Sequence, residues 1–149
     1  MSLQQKVMDQ MKTAMKAKDT LALDSLRAVK SAILLAQTEK AGKVLTQEDE
    51  LKLVQKLVKQ RKDSASIYRE QGRPDLAEPE LAQAAVIERF LPEQLSEAEI
   101  EKVVDQVIEE TGASGMKDMG KVMGQVTGEL AGKADGKTIS GIVRRKLAG

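Results

Sequence analysis

The sequence predicts an all-α protein with about four helices in an N-terminal bundle, residues 1–92, and a small C-terminal three-helix domain, residues 93–149. Three observations lead there. Apolar residues recur every three or four positions along nearly the whole chain, the period of one helix face. No segment shows the alternation of branched and polar residues, bounded by turns, that marks a strand. Capping and stop signals fall at the ends of the periodic runs. A chain of 149 residues has room for one compact domain or two small ones.

Ser2 followed by Gln5 reads as a capping box for the first helix, whose apolar face is Leu3, Val7, Met11, Ala14 and Met15. Asp19 or Thr20 caps a second helix. Its stripe runs Leu23, Leu26, Val29, Ile33 and Ala36 and stops near Gly42. Thr46 opens the third, with Glu48, Asp49 and Glu50 in the first turn, where acids suit the positive end of the helix dipole. Leu51, Val54, Val58, Ala65 and Tyr68 form its inner face, and Gly72 then Pro74 end it.

A fourth helix is expected over about 75–90, with Leu81, Ala84, Ile87 and Leu91 on one side; Pro79 argues for a later start. Leu91-Pro92 closes it, since a residue before proline avoids the α region. Ser96 and Glu99 make a capping box for the fifth helix, which turns Ile100, Val103, Val104, Val107 and Ile108 inward and ends at Gly112. Residues 116–130 and 137–147 supply the sixth and seventh.

Composition removes many chemistries. Hydrophobic residues make up 41% and charged residues 32%, values of a folded, surface-charged chain rather than a disordered one. Without cysteine or histidine there is no disulfide, thiol nucleophile, histidine base or thiolate zinc site. No catalytic constellation, metal site or cofactor is expected. The only aromatic residues, Tyr68 and Phe90, nearly exclude base stacking on an aromatic platform. No run approaches membrane-spanning length, and Met1 to Lys6 lacks an apolar signal region, so a cytoplasmic protein with no membrane partner is expected.

Lys+Arg is 24 and Asp+Glu 23, but the near-neutral total hides a pattern. Residues 95–110 hold one base, Lys102, against six acids. Residues 111–149 hold seven bases (Lys117, Lys121, Lys133, Lys137, Arg144, Arg145 and Lys146) against Asp118, Glu129 and Asp135. A second basic zone, residues 52–73, includes Lys59, Lys62 and Arg73. Lys52, Lys56 and Lys59 recur there away from Leu51 and Val54. Such a stripe is either a solvated outer face or a line of phosphate contacts. Arg61 falls among the inward positions and needs a carboxylate or several carbonyl partners.

Gly120 and Gly124 lie four apart, on one face of the sixth helix. Each interior helix glycine costs about 1 kcal/mol relative to alanine, which implies close approach of another backbone: a neighbouring helix, the plainer reading, or a nucleic acid. Met116, Met119 and Met123 read as gap-filling core residues. The stretch from Gly132 to Gly136 reads as a tight loop in which Asp135 caps the last helix; it is not a P-loop, because the glycine–lysine spacing and the preceding strand are missing.

Seven segments carry a family resemblance: LRAVKSAI at 26–33, KQRKDS at 59–64, GRPDLA at 72–77, FLPEQLS at 90–96, DMGKVMG at 118–124, GKADG at 132–136 and IVRRKL at 142–147. Together they resemble the YqeY-like proteins, relatives of the tail of GatB, a subunit of the glutamine-dependent aspartyl/glutamyl-tRNA amidotransferase. The similarity to the GatB tail covers the last third of the chain. Gln83 stands where an acid is expected, and Phe90 where tyrosine is common. The resemblance implies a two-part helical protein whose C-terminal unit is similar to a tail that contacts the outer body of tRNA. It also implies, by association alone, glutamine-dependent carbon–nitrogen ligase activity.

The expectation is therefore a non-catalytic protein that binds structured RNA, tRNA first, with no reading of DNA sequence. The expected contacts are Lys117, Lys121, Gly124, Lys133, Lys137, Arg144 and Arg145, with Lys59, Lys62 and Arg73 from the second basic zone. The alternatives are a participant in amide transfer and an adaptor with a protein partner.

Overall fold

The computed structural model describes residues 2–42 and 44–149. Among them the chain is all-helical: α1 (Leu3–Ala17), α2 (Thr20–Glu39), α3 (Gln47–Glu70), α4 (Pro74–Glu88), α5 (Glu97–Thr111), a single 3-10 turn at Met116–Asp118, α6 (Met119–Glu129) and α7 (Gly136–Ala148). It divides into two compact units, Met1–Leu91 and Pro92–Gly149.

In the first unit, α1 and α2 pack as a pair, and α3 lies along α4, which also packs on α2. Leu3, Val7, Leu26, Val29, Ile33, Val54, Val58, Ala84 and Ile87 form the buried core. The expected capping box is present at Ser2/Gln5, Asp19 caps α2, and Thr46 opens α3 as expected, there forming a capping box with Asp49. Glu50, on the first turn of α3, accepts a 2.8 Å hydrogen bond from the Leu3 backbone N–H. Its carboxylate thus sits at the positive end of α1 as well. Met15 leaves the expected apolar face and is 61% exposed.

Helix α4 starts earlier than Pro79 suggests. Pro74 occupies its first turn, where the missing N–H has no intrahelical partner to lose. Pro79 lies inside the helix, and the carbonyl it leaves without a donor belongs to the exposed Asp75, which water reaches.

The second unit has its own core. Ile100, Val104 and Val107 of α5, Val122 and Val126 of α6, and Ile139, Ile142 and Val143 of α7 are buried together. Ser96 and Glu99 form the capping box, and Gly112 ends α5 with a φ of +67°. The expected sixth helix divides: the 3-10 turn comes first, and α6 proper begins at Met119. Met119 and Met123 pack against the core as expected, but Met116 is exposed.

The segment entering α5 is tied to the loop between α6 and α7. Gln94 Nε2 donates to the Pro92 carbonyl at 2.8 Å and to the Gly132 carbonyl at 2.7 Å, and the Leu95 N–H donates to the Lys133 carbonyl at 2.9 Å. Gly132, at a φ of +77°, takes the left-handed conformation that this turn requires.

Candidate functional site

The outer faces of α6 and α7 are the most distinctive surface of the second unit. Val122 and Val126 turn α6 inward, which leaves Gly120, Lys121, Gly124 and Gly128 exposed. A Cβ built on any of the three glycines meets no atom within 4 Å. Of the two close approaches expected at Gly120 and Gly124, a neighbouring helix or a nucleic acid, the first is not made: no other helix of the described chain approaches them, and their edge of α6 is open. Gly128 extends the line at the same four-residue spacing, a signal readable in the sequence but overlooked.

On α7, the buried Ile139, Ile142, Val143 and Leu147 turn Lys137, Gly141 and Arg144 outward. A Cβ at Gly141 also meets nothing within 4 Å. Positions 137, 141 and 144 share one face by helical spacing. Lys133 projects from the intervening loop and Lys117 from the 3-10 turn, both exposed. Asp135 caps α7, its carboxylate accepting from the Lys137 N–H.

Electrostatics divides the expected contacts into two groups. Among the described residues, Lys117, Lys121, Lys133, Lys137 and Arg144 form no ion pair. Arg145 differs: its guanidinium pairs with Glu101 of α5, and the neighbouring Lys146 reaches Glu101 at 3.8 Å and Asp105 at 3.3 Å. The acidic stretch on α5 thus neutralises the far side of α7 and leaves the Lys137–Arg144 side open.

The expected contacts of the second basic zone, Lys59, Lys62 and Arg73, are paired within the chain. Lys59 pairs with Asp63 at 3.0 Å, Lys62 with Glu88 at 3.6 Å and Lys52 with Glu48 at 3.1 Å. Arg73 holds Asp75 through two hydrogen bonds of 3.1 and 2.9 Å. Arg61 does face protein, but its partners are not carboxylates: Nε donates to Gln83 Oε1 and Nη1 to the Leu57 carbonyl, each at 3.1 Å.

The shifted ionisations belong to helix ends and surface pairs. A hydrogen bond from Lys40, with further bonds from Thr46, lowers the Asp49 carboxyl to about 2. The Arg73 guanidinium lowers Asp75 and is itself raised. The backbone and hydroxyl of Ser96 lower Glu99. Each of these carboxylates is held ionised by the structure it supports. Among the described residues no cluster of acids is arranged to hold a metal ion.

A family model described as Yqey-like protein matches residues 4–147. Three fungal relatives share the name Altered inheritance of mitochondria protein 41, mitochondrial. The protein from Pyrenophora tritici-repentis is 33% identical over 102 residues, 66% of this chain and 55% of its own length. That from Lachancea thermotolerans is 34% identical over 102 residues, 67% and 54%. That from Meyerozyma guilliermondii is 38% identical over 84 residues, 54% and 42%. The chain spans about half the length of the curated relatives it matches. These names overturn the cytoplasmic expectation. That expectation rested on a missing apolar signal region, a mark of secretion that is silent about amphipathic organelle-targeting segments.

Proposed function

We propose, on the premise that this chain belongs to the YqeY-like family, that it is a non-catalytic helical protein that binds structured RNA, tRNA first, through the outer faces of α6 and α7. One observation carries the reading. Helices α6 and α7 each expose glycines with open space above them, and five exposed cations of the same unit form no ion pair with a carboxylate among the described residues. Glycine removes the side chains that would hold a phosphate backbone away, and unpaired Lys and Arg attract it. With both aromatic residues in the other unit, recognition rests on phosphates, 2′-hydroxyls and shape.

Glutamine-dependent amide transfer has no comparable support: Lys59 is paired with Asp63, and the hydroxyls that meet shifted carboxylates, Thr46 at Asp49 and Ser96 at Glu99, belong to capping boxes at helix starts. A protein adaptor has one observation in its favour, the exposed Met8, Met15, Leu34 and Leu35 on α1 and α2.

Filter binding of tRNA across a salt series tests the proposal. Complex formation at low salt should weaken steeply as salt rises, because each phosphate contact releases a counterion. Lys121→Glu with Lys133→Glu should weaken it further at every salt concentration. Absence of any complex at low salt removes the RNA reading. Partners that survive nuclease treatment of a pull-down would replace it with the adaptor.

A further inference from the structure

We infer that Gln94 is a positioning residue: its side-chain amide fixes the loop that carries Lys133 and so sets where that cation stands on the α6–α7 face. The inference rests on the proposed RNA reading for its consequence, but not for its geometry. Gln94 has two amide hydrogens, and both are used, on the carbonyls of Pro92 and Gly132. Both acceptors are oxygens, which dictates the orientation of the amide. The next residue repeats the tie, Leu95 N–H to the Lys133 carbonyl. Gly132 and Ala134 are buried on either side of Lys133, whereas the Lys133 side chain is exposed. The backbone at Lys133 is thus held from within its own loop, by its N–H to the Leu130 carbonyl, and from the α5 entry strap.

Gln94 itself is exposed and lies outside the buried core, so its replacement empties no cavity. That separates positioning from folding. Gln94→Leu removes both donors. Gln94→Glu keeps the shape but turns acceptor oxygens toward two carbonyls.

The test uses the full chain and two readouts. In hydrogen exchange, either variant should speed exchange of the Leu95 and Lys133 amides roughly three- to tenfold, and leave Val104 and Val107 of α5 unchanged. In tRNA titrations, Gln94→Leu should weaken binding and lower the salt slope by about one phosphate contact, as Lys133→Gln does. The double variant should then bind no worse than Lys133→Gln alone, because both changes remove one interaction. Unchanged exchange at Leu95 and Lys133 overturns the positioning role, and fully additive losses overturn its route through Lys133. Absence of tRNA binding by the unaltered protein overturns the RNA reading and with it that route, while the exchange result still decides whether Gln94 fixes the loop.

Discussion

Arg61 of α3 reaches Gln83 of α4 through a 3.1 Å hydrogen bond from Nε to Oε1, so a half-buried guanidinium crosses the helix pair to a neutral amide. The same guanidinium also donates to its own helix at Leu57. A charged donor facing an uncharged acceptor leaves part of the available attraction unused. A hydrogen bond with one charged partner contributes roughly 1.5–3 kcal/mol, and a partly exposed ion pair adds up to about 1 kcal/mol. Gln83→Glu should therefore stabilise the first unit by up to about 1 kcal/mol, and Gln83→Ala should destabilise it by roughly 1.5 kcal/mol. Urea denaturation followed by Tyr68 fluorescence would show a raised and a lowered midpoint respectively.

Glu50 ties two helix starts together through the Leu3 N–H. Glu50→Ala should loosen the first turn of α1 at a cost of about 1.5 kcal/mol, the low end for a charged acceptor in a partly open position. Limited proteolysis would detect it as faster cleavage within residues 2–10. An unchanged cleavage rate would mean that packing of Leu3 and Val7 alone holds the turn.

The Lys40–Asp49 pair makes the first unit sensitive to acid. Asp49 falls from an ordinary 3.8 to about 2 on folding, chiefly through the hydrogen bond from Lys40. A depressed carboxyl favours the folded state while it is ionised. Its contribution is complete above about pH 4 and disappears as pH falls toward 2. Asp49→Asn should flatten this part of the stability–pH curve and leave the behaviour above pH 5 parallel to that of the original protein. A variant curve as steep as the original between pH 4 and 2 would assign the acid loss to other groups.

Gly124 offers a test that separates stability from binding. It lies in the exposed interior of α6 with open space above it, so Gly124→Ala should stabilise the second unit by up to about 1 kcal/mol. Gly124→Leu should be tolerated in the free protein for the same reason. If a nucleic-acid backbone approaches there, Leu lowers tRNA affinity severalfold while the melting temperature holds. Equal affinities for Gly124→Leu and the unaltered protein would detach the glycine line from binding.

Much of this architecture was legible in the residues. Ser2/Gln5 and Ser96/Glu99 marked helix starts because a capping box is a contact between near neighbours, and Thr46 did so through the acids that follow it in the first turn. The inward faces followed from a period of 3.6. Pro79 misled because the cost of a helical proline depends on whether water reaches the carbonyl it strands, which is a matter of exposure. The site was legible only in outline. Charge counts placed cations near the C-terminus, but pairing is tertiary: nothing local distinguishes Arg144, which is open, from Arg145, which Glu101 of a different helix takes. Gln94 was silent for the same reason, since its second acceptor lies thirty-eight residues away.

The two apolar clusters share no side chain, and both aromatic rings belong to the first unit. Calorimetry should resolve two melting events, and ultraviolet fluorescence should follow just one of them. The half bearing Lys121 and Arg144 absorbs almost nothing beyond the peptide bands. A ligand's own chromophore near 260 nm can therefore be watched against it without correction.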